Sequence, residues 1–195
     1  MQKERDKADA YRKAAYEGDA KSMNNLGVCY HRGLGVKENH STAFEWYMKA
    51  ALADDVYGCY NVGECYYNGD GVEQDAEKAF FWYQRAAKMG DLQSQVNVAN
   101  AYYLGNGVEC DHEKAYLWYR EAAFQGHIQS QKNCGAAHWN GDGAEKDLVE
   151  KYEGLRDYIM SYGIKNRVSI PGDTFSAHRE RYVFITITGK KLKVN

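Results

Sequence analysis

Trp46-Tyr47, Trp82-Tyr83 and Trp118-Tyr119 stand 36 residues apart. The glycine pairs Gly33/Gly35, Gly69/Gly71, Gly105/Gly107 and Gly141/Gly143 keep the same step. A fixed period of roughly 20–50 residues is the signature of a solenoid, in which each unit buries its apolar face only against its neighbours. This constrains function as well as fold. Residues that recur build the stack, so whatever sets the chain apart lies where the units differ.

The units begin near Asp19, Asp55, Asp91 and His127. The first half of each carries Leu26, Val62, Val98 or Cys134, with Tyr30, Tyr66, Tyr102 or His138 four residues on. That spacing puts both on one helical face and predicts a helix, A, of about 12 residues. Gly27, Gly63, Ala99 and Gly135 form a small-residue column that implies close helix–helix contact. Gly33 and its equivalents close helix A in the left-handed conformation. Asn39, Asp75, Asp111 and Asp147 are placed to cap a second helix, B. Helix B runs through AFEWYMKAA, AFFWYQRAA and AYLWYREAA, with Ala43, Trp46 and Ala50 and their equivalents sharing a face.

Three segments follow from this layout. Residues 1–18 form an N-terminal capping helix, because Tyr11 to Ala15 is in register with the start of YMKAA at Tyr47. Residues 19–163 form four repeats. The last is degenerate, with Gly154-Leu155 where Trp-Tyr stands elsewhere and a terminal helix carrying Leu148, Tyr152, Leu155 and Ile159 on one face. Residues 164–195 are a basic extension, a strand or β-hairpin, in which Val183, Ile185 and Ile187 alternate with threonines before Gly189. This extension carries seven cationic side chains against Asp173 and Glu180, whereas the other 163 residues are net −7. It either docks on the acidic body, pairs with another chain or stays unstructured, so self-association through the strand is open.

Lys plus Arg is 25 and Asp plus Glu is 27, a balance that argues against a general nucleic-acid or membrane surface. The start of the chain, MQKERDKADAYRKAAYEGD, has no apolar core, and no run of about 18 apolar residues exists for a membrane span. A cytoplasmic protein is the expectation, although a leader already removed would leave no trace. Five cysteines, Cys29, Cys59, Cys65, Cys110 and Cys134, cannot all pair within the chain.

The stretch LGVCYHRGLGVKENHSTAFEWYMKAA and its two close copies resemble the Sel-1-like repeat family. That pattern reads A-x-x-x-L-G-x-x-Y-x-x-G-x-G-V-x-x-D-x-x-K-A-x-x-W-Y-x-K-A-A-x-x-G, and the likeness covers residues 10–160. Departures are Asp54 for a closing glycine, Ala99 for glycine, His138 for tyrosine and the missing fourth Trp-Tyr. The resemblance implies an all-α, right-handed α/α superhelix related to tetratricopeptide repeats, acting as an adaptor for other proteins. The absence of the paired cysteines found in some secreted members favours a reducing compartment.

Related solenoids line their concave surface with helix A. The expected partner-binding residues are therefore Lys21, Asn25, Arg32, Tyr57, Tyr60, Asn61, Tyr67, Asn97, Tyr103, Lys132 and Asn133. The four asparagines form a ladder, and a carboxamide both donates and accepts. Such a ladder either binds a peptide backbone or sets repeat geometry through bonds between helices. The tyrosines offer contact area of the kind enriched at interfaces.

Catalysis is not expected. The six histidines share no spacing such as H-x-x-x-H, and there is no G-x-S-x-G, phosphate-binding loop or C-x-x-C. No cofactor or metal is implied. The reading is a protein-interaction scaffold that holds a peptide or helix of a partner. The alternative is an assembly subunit whose C-terminal strand completes a sheet in another chain.

Overall fold

The computed structural model describes residues 2–140, together with residues 168–169 and 182–183. Eight helices follow one another: α1 (Gln2–Tyr16), α2 (Ala20–Arg32), α3 (His40–Leu52), α4 (Val56–Asn68), α5 (Ala76–Lys88), α6 (Leu92–Leu104), α7 (His112–Phe124) and α8 (Ile128–Asn140). Each packs against the next, and α2 also touches α4 directly. Helices α2, α4, α6 and α8 are the A row, and α1, α3, α5 and α7 the B row. A separate two-residue antiparallel ladder pairs Val168 with Val183 and Ser169 with Tyr182. The remainder of the expected strand and the terminal helix of residues 148–163 lie outside the described residues.

Helix ends form where the sequence places them. Asp19, Asp55 and Asp91 accept from the amides of Ser22, Gly58 and Ser94 at 2.8, 2.7 and 2.7 Å. Asn39, Asp75 and Asp111 do the same for the B helices at 3.0, 2.9 and 2.9 Å. Each such bond satisfies an amide that the helix itself leaves free. Gly33, Gly69 and Gly105 end the A helices at φ values of 65, 73 and 70°. Asp54, standing where other units have Gly18, Gly90 and Gly126, adopts the left-handed region itself at φ 58°. The turn between B and A is thus kept even where its glycine is missing.

Stacking rests on two contacts between units. The first is the tryptophan. Trp46 packs with Leu26 of its own unit and Ala15 of α1, while Trp82 shares a cluster with Val62 and with Ala51 of α3. Helix α1 therefore does for the first unit what α3 does for the second. The second contact is the second glycine of each pair. A Cβ on Gly71 would lie 2.3 Å from the carbonyl oxygen of His40, and one on Gly107 would lie 2.1 Å from that of Ala76. The loop after each A helix thus lies directly on the first turn of the preceding B helix, and only glycine permits that approach.

Within the first two units, the tyrosine of the Trp-Tyr pair lies across the small-residue column. A Cβ on Gly27 or Gly63 would come within 2.6 Å of the Tyr47 or Tyr83 ring. Leu26, Val62 and Val98 are fully buried beside it.

Candidate functional site

The residues nominated from the sequence fall in different settings. Lys21, Arg32, Tyr57 and Lys132 are exposed, while Tyr60 and the four asparagines are half-buried. Tyr67 and Tyr103 keep 48% and 47% of their surface open, large fractions for aromatic rings standing beside a core.

The asparagine ladder is tied into the A row. Asn61 donates to Asn24 Oδ1 of the preceding A helix at 2.7 Å, and Asn97 donates to Glu64 Oε1 at 3.3 Å. Asn133 accepts from Gln129 at 3.0 Å. A carboxamide has two donor hydrogens and an acceptor, so these bonds leave capacity for a ligand.

Glu64 is a hub that periodicity could not show, because its column reads Val28, Glu64, Asn100 and Ala136. The buried Tyr83 hydroxyl donates to Glu64 Oε1 at 2.6 Å, the same oxygen that receives Asn97. The Tyr60 and Tyr67 rings flank Tyr83 with centroids at 6.1 and 6.5 Å. Burial, followed by the charge and hydrogen bond of Glu64, pushes the Tyr60 hydroxyl up to about 12. Burial and the Glu64 bond hold Tyr83 protonated still further above its ordinary range. One period on, Tyr119 donates instead to the neutral Asn100 at 2.5 Å.

Two grooves open beside these rings, each between successive A helices. One, with a volume of about 390 Å³, is lined by Tyr67, Ala79, Phe80, Tyr83, Asn97 and Ala101, and includes Glu64 in its wall. The other, of about 170 Å³, is lined by Tyr103, Ala115, Tyr116, Tyr119, Asn133 and Ala137. Every residue in the second set stands 36 positions after its counterpart in the first. The grooves are therefore one structural feature repeated, with different chemistry. The first has an anionic wall, and the second has a Tyr103–His112 stack at 5.0 Å. Lys21, Asn25, Arg32, Tyr57, Tyr60, Asn61 and Lys132 line neither groove.

A third grouping joins residues that share no motif spacing. His31 Nε2 lies 2.7 Å from Asp70 Oδ2, and His40 Nδ1 is hydrogen-bonded to Asp70 Oδ1. The other nitrogen of His40 meets Glu38 Oε1 at 2.9 Å. Glu38, then Asp70, therefore raise the His40 imidazolium above its ordinary range.

Four of the five thiols are buried, and burial raises each of these four; Cys65 and Cys134 are pushed up to about 12. Cys110 alone is exposed. The thiolate is the reactive form, so at about pH 8 a thiol-specific disulfide reagent should modify Cys110 quickly and the rest only with unfolding. Titration of the native protein should thus count one thiol, and titration in denaturant should count all five.

Among the described residues, no helix is long and apolar enough to cross a membrane. Among curated proteins, none matches the chain. Solved structures do. A protective antigen of uropathogenic Escherichia coli displaying an SLR fold is 29% identical, over 82% of this chain and 37% of that one, with a TM-score of 0.69. A Sel1 repeat protein from Oxalobacter formigenes is 34% identical over 70% of this chain and 56% of its own, with a TM-score of 0.64. Cysteine-rich protein B of Helicobacter pylori shares the fold at 21% identity and a TM-score of 0.51, over 62% of this chain and 92% of its own. The chain thus spans about a third to a half of the first two. Sel1 repeat proteins generally mediate protein–protein interactions and are typically non-catalytic. The Sel1 repeat model matches residues 20–55, 56–91 and 92–127, the same 36-residue units that the caps, paired glycines and tryptophans define, and the shorter stretch 128–150, and the chain belongs to the Sel1 repeat family.

Proposed function

We propose that this chain is a non-catalytic adaptor that holds an extended segment of a partner protein along the A row, which we take as the concave side. The recurring groove carries this reading. Two equivalent clefts one unit apart suit a ligand that is itself regular along its length, as an extended peptide is. Direct contact between α2 and α4 supports the A row as the inside of the curve. Tyr67 and Tyr103 supply exposed aromatic anchors, and the carboxamides of Asn97 and Asn133 supply backbone-like donors and acceptors. Glu64 sets the chemistry of the first groove. Its carboxylate accepts from Tyr83 and Asn97 through Oε1 and is also hydrogen-bonded to Tyr60, and its charge favours a partner amide or basic side chain. The five free thiols fit a reducing compartment such as the cytoplasm.

The test is capture of a partner from host lysate by wild-type and variant chains, with the affinity of the captured protein then measured in purified form. Tyr67→Ala/Tyr103→Ala should weaken binding roughly tenfold or more, the range of aromatic hot spots. Phe81→Ala/Leu117→Ala removes exposed side chains at one repeat position of the B row and should leave affinity within about twofold. The opposite ranking would move the site to the B row.

A further inference from the structure

The first junction between units differs from the next in one respect. Positions 31, 40 and 70 meet there, and their equivalents one period later, Tyr67, Ala76 and Asn106, line the end of the larger groove. Only the first junction, among the described residues, fills this meeting point with His31, His40 and Asp70. Their nitrogen and oxygen atoms lie within 4.8 Å of one another. The glycine stack explains the convergence. Gly71 rests on the His40 carbonyl, which brings its neighbour Asp70 over the start of α3, while His31 reaches the same carboxylate from the last turn of α2.

We propose that His31 Nε2, His40 Nδ1 and a carboxylate oxygen of Asp70 form a binding site for a divalent transition-metal ion of the zinc class. Two imidazoles and one carboxylate are the donor set such ions take, with the fourth position left to water or to a donor from a partner. Zinc at about 2.0–2.1 Å from each donor needs donors about 3.3 Å apart, so the observed 2.7 Å His31–Asp70 separation opens by about 0.6 Å, and the closer His40–Asp70 pair opens further, when the ion replaces the shared protons. Outer support is already present. His40 Nε2 donates to Glu38, the arrangement that fixes the ring and raises its donor strength in metal sites. The site joins α2 and α3 of one unit to the turn of the next, so the bound ion clamps the first junction.

The test uses the full chain without an affinity tag, stripped with chelator. Calorimetry with zinc and visible absorption with cobalt(II) should show saturable binding of one equivalent at micromolar or tighter affinity. His31→Ala/His40→Ala and Asp70→Asn should each abolish it, and Glu38→Gln should weaken it by roughly tenfold or more. Asp70→Asn keeps the shape of the side chain, and its circular dichroism melt without metal shows whether lost binding reflects lost folding. Cys110→Ser should bind as wild type, which separates this site from the exposed thiol. Saturable binding that survives the histidine changes, or none in the wild type, would overturn the proposal.

Discussion

Gly71→Ala should destabilise the protein by roughly 2–5 kcal/mol, and Gly69→Ala by only about 1–2 kcal/mol. Both glycines have φ 73°, so both substitutions incur the left-handed cost of an L side chain. They differ in surroundings. A Cβ at position 69 meets nothing nearer than the Gln74 side chain at 3.3 Å, whereas at position 71 it meets the His40 carbonyl oxygen at 2.3 Å. A side chain can move aside, but the backbone of a helical first turn cannot without opening the junction between units. Denaturant unfolding of the two variants measures the difference. Equal losses would mean that the second glycine serves only its own turn and that the units are held by side chains alone.

Trp82→Ala should cost about 3–5 kcal/mol, the range for deleting a buried large aromatic, and lower the melting temperature by roughly 10 °C. Trp82 is 8% exposed and lies in a cluster built from α3, α4 and α5. Its loss leaves a cavity where two units meet, and each unit relies on that contact for burial. Phe81 is the internal comparison. It is adjacent in sequence, 58% exposed and touches Trp82 edge-on at 5.3 Å, so Phe81→Ala should cost under about 1 kcal/mol. Comparable melts for the two variants would contradict the assignment of the tryptophan as the inter-unit wedge.

The A and B helices were legible because their signals are local. A capping Asp three residues before the amide it accepts from, a glycine that ends a helix and a Trp between two alanines all act within one unit. The contacts between units were less legible. Gly71 reads as a turn residue from its neighbours, and nothing nearby in sequence names His40 as the backbone it lies on. Glu64 was one of several varied residues, and its role comes from Tyr83, 19 residues on, and Asn97, 33 residues on. His31, His40 and Asp70 were missed for the same reason. Motif spacings describe ligands on one helix, while this set spans a helix end, a helix start and the turn of the following unit. A signal did exist. Aligning each unit's turn with the preceding B helix places these three columns together.

The asparagine ladder shows how far periodicity goes. It identifies Asn61, Asn97 and Asn133 as equivalent, and the structure gives them bonds to Asn24, Glu64 and Gln129. Asn97 also accepts from Gln93 at 3.4 Å, as Asn133 does from Gln129, so the bond within the helix recurs while the partner on the preceding A helix changes from Asn24 to Glu64. The same holds for the grooves, whose aromatic frame recurs while Glu64 and the Tyr103–His112 stack do not.

Hydrogen–deuterium exchange of the full chain with and without its captured partner addresses the binding face most directly. Protection on binding should concentrate in α4 and α6, residues 56–68 and 92–104, where the A row flanks the larger groove. Protection confined to α3, α5 and α7, or to residues 164–195, would contradict recognition by the A row and assign it to the outer helices or to the basic C-terminal extension.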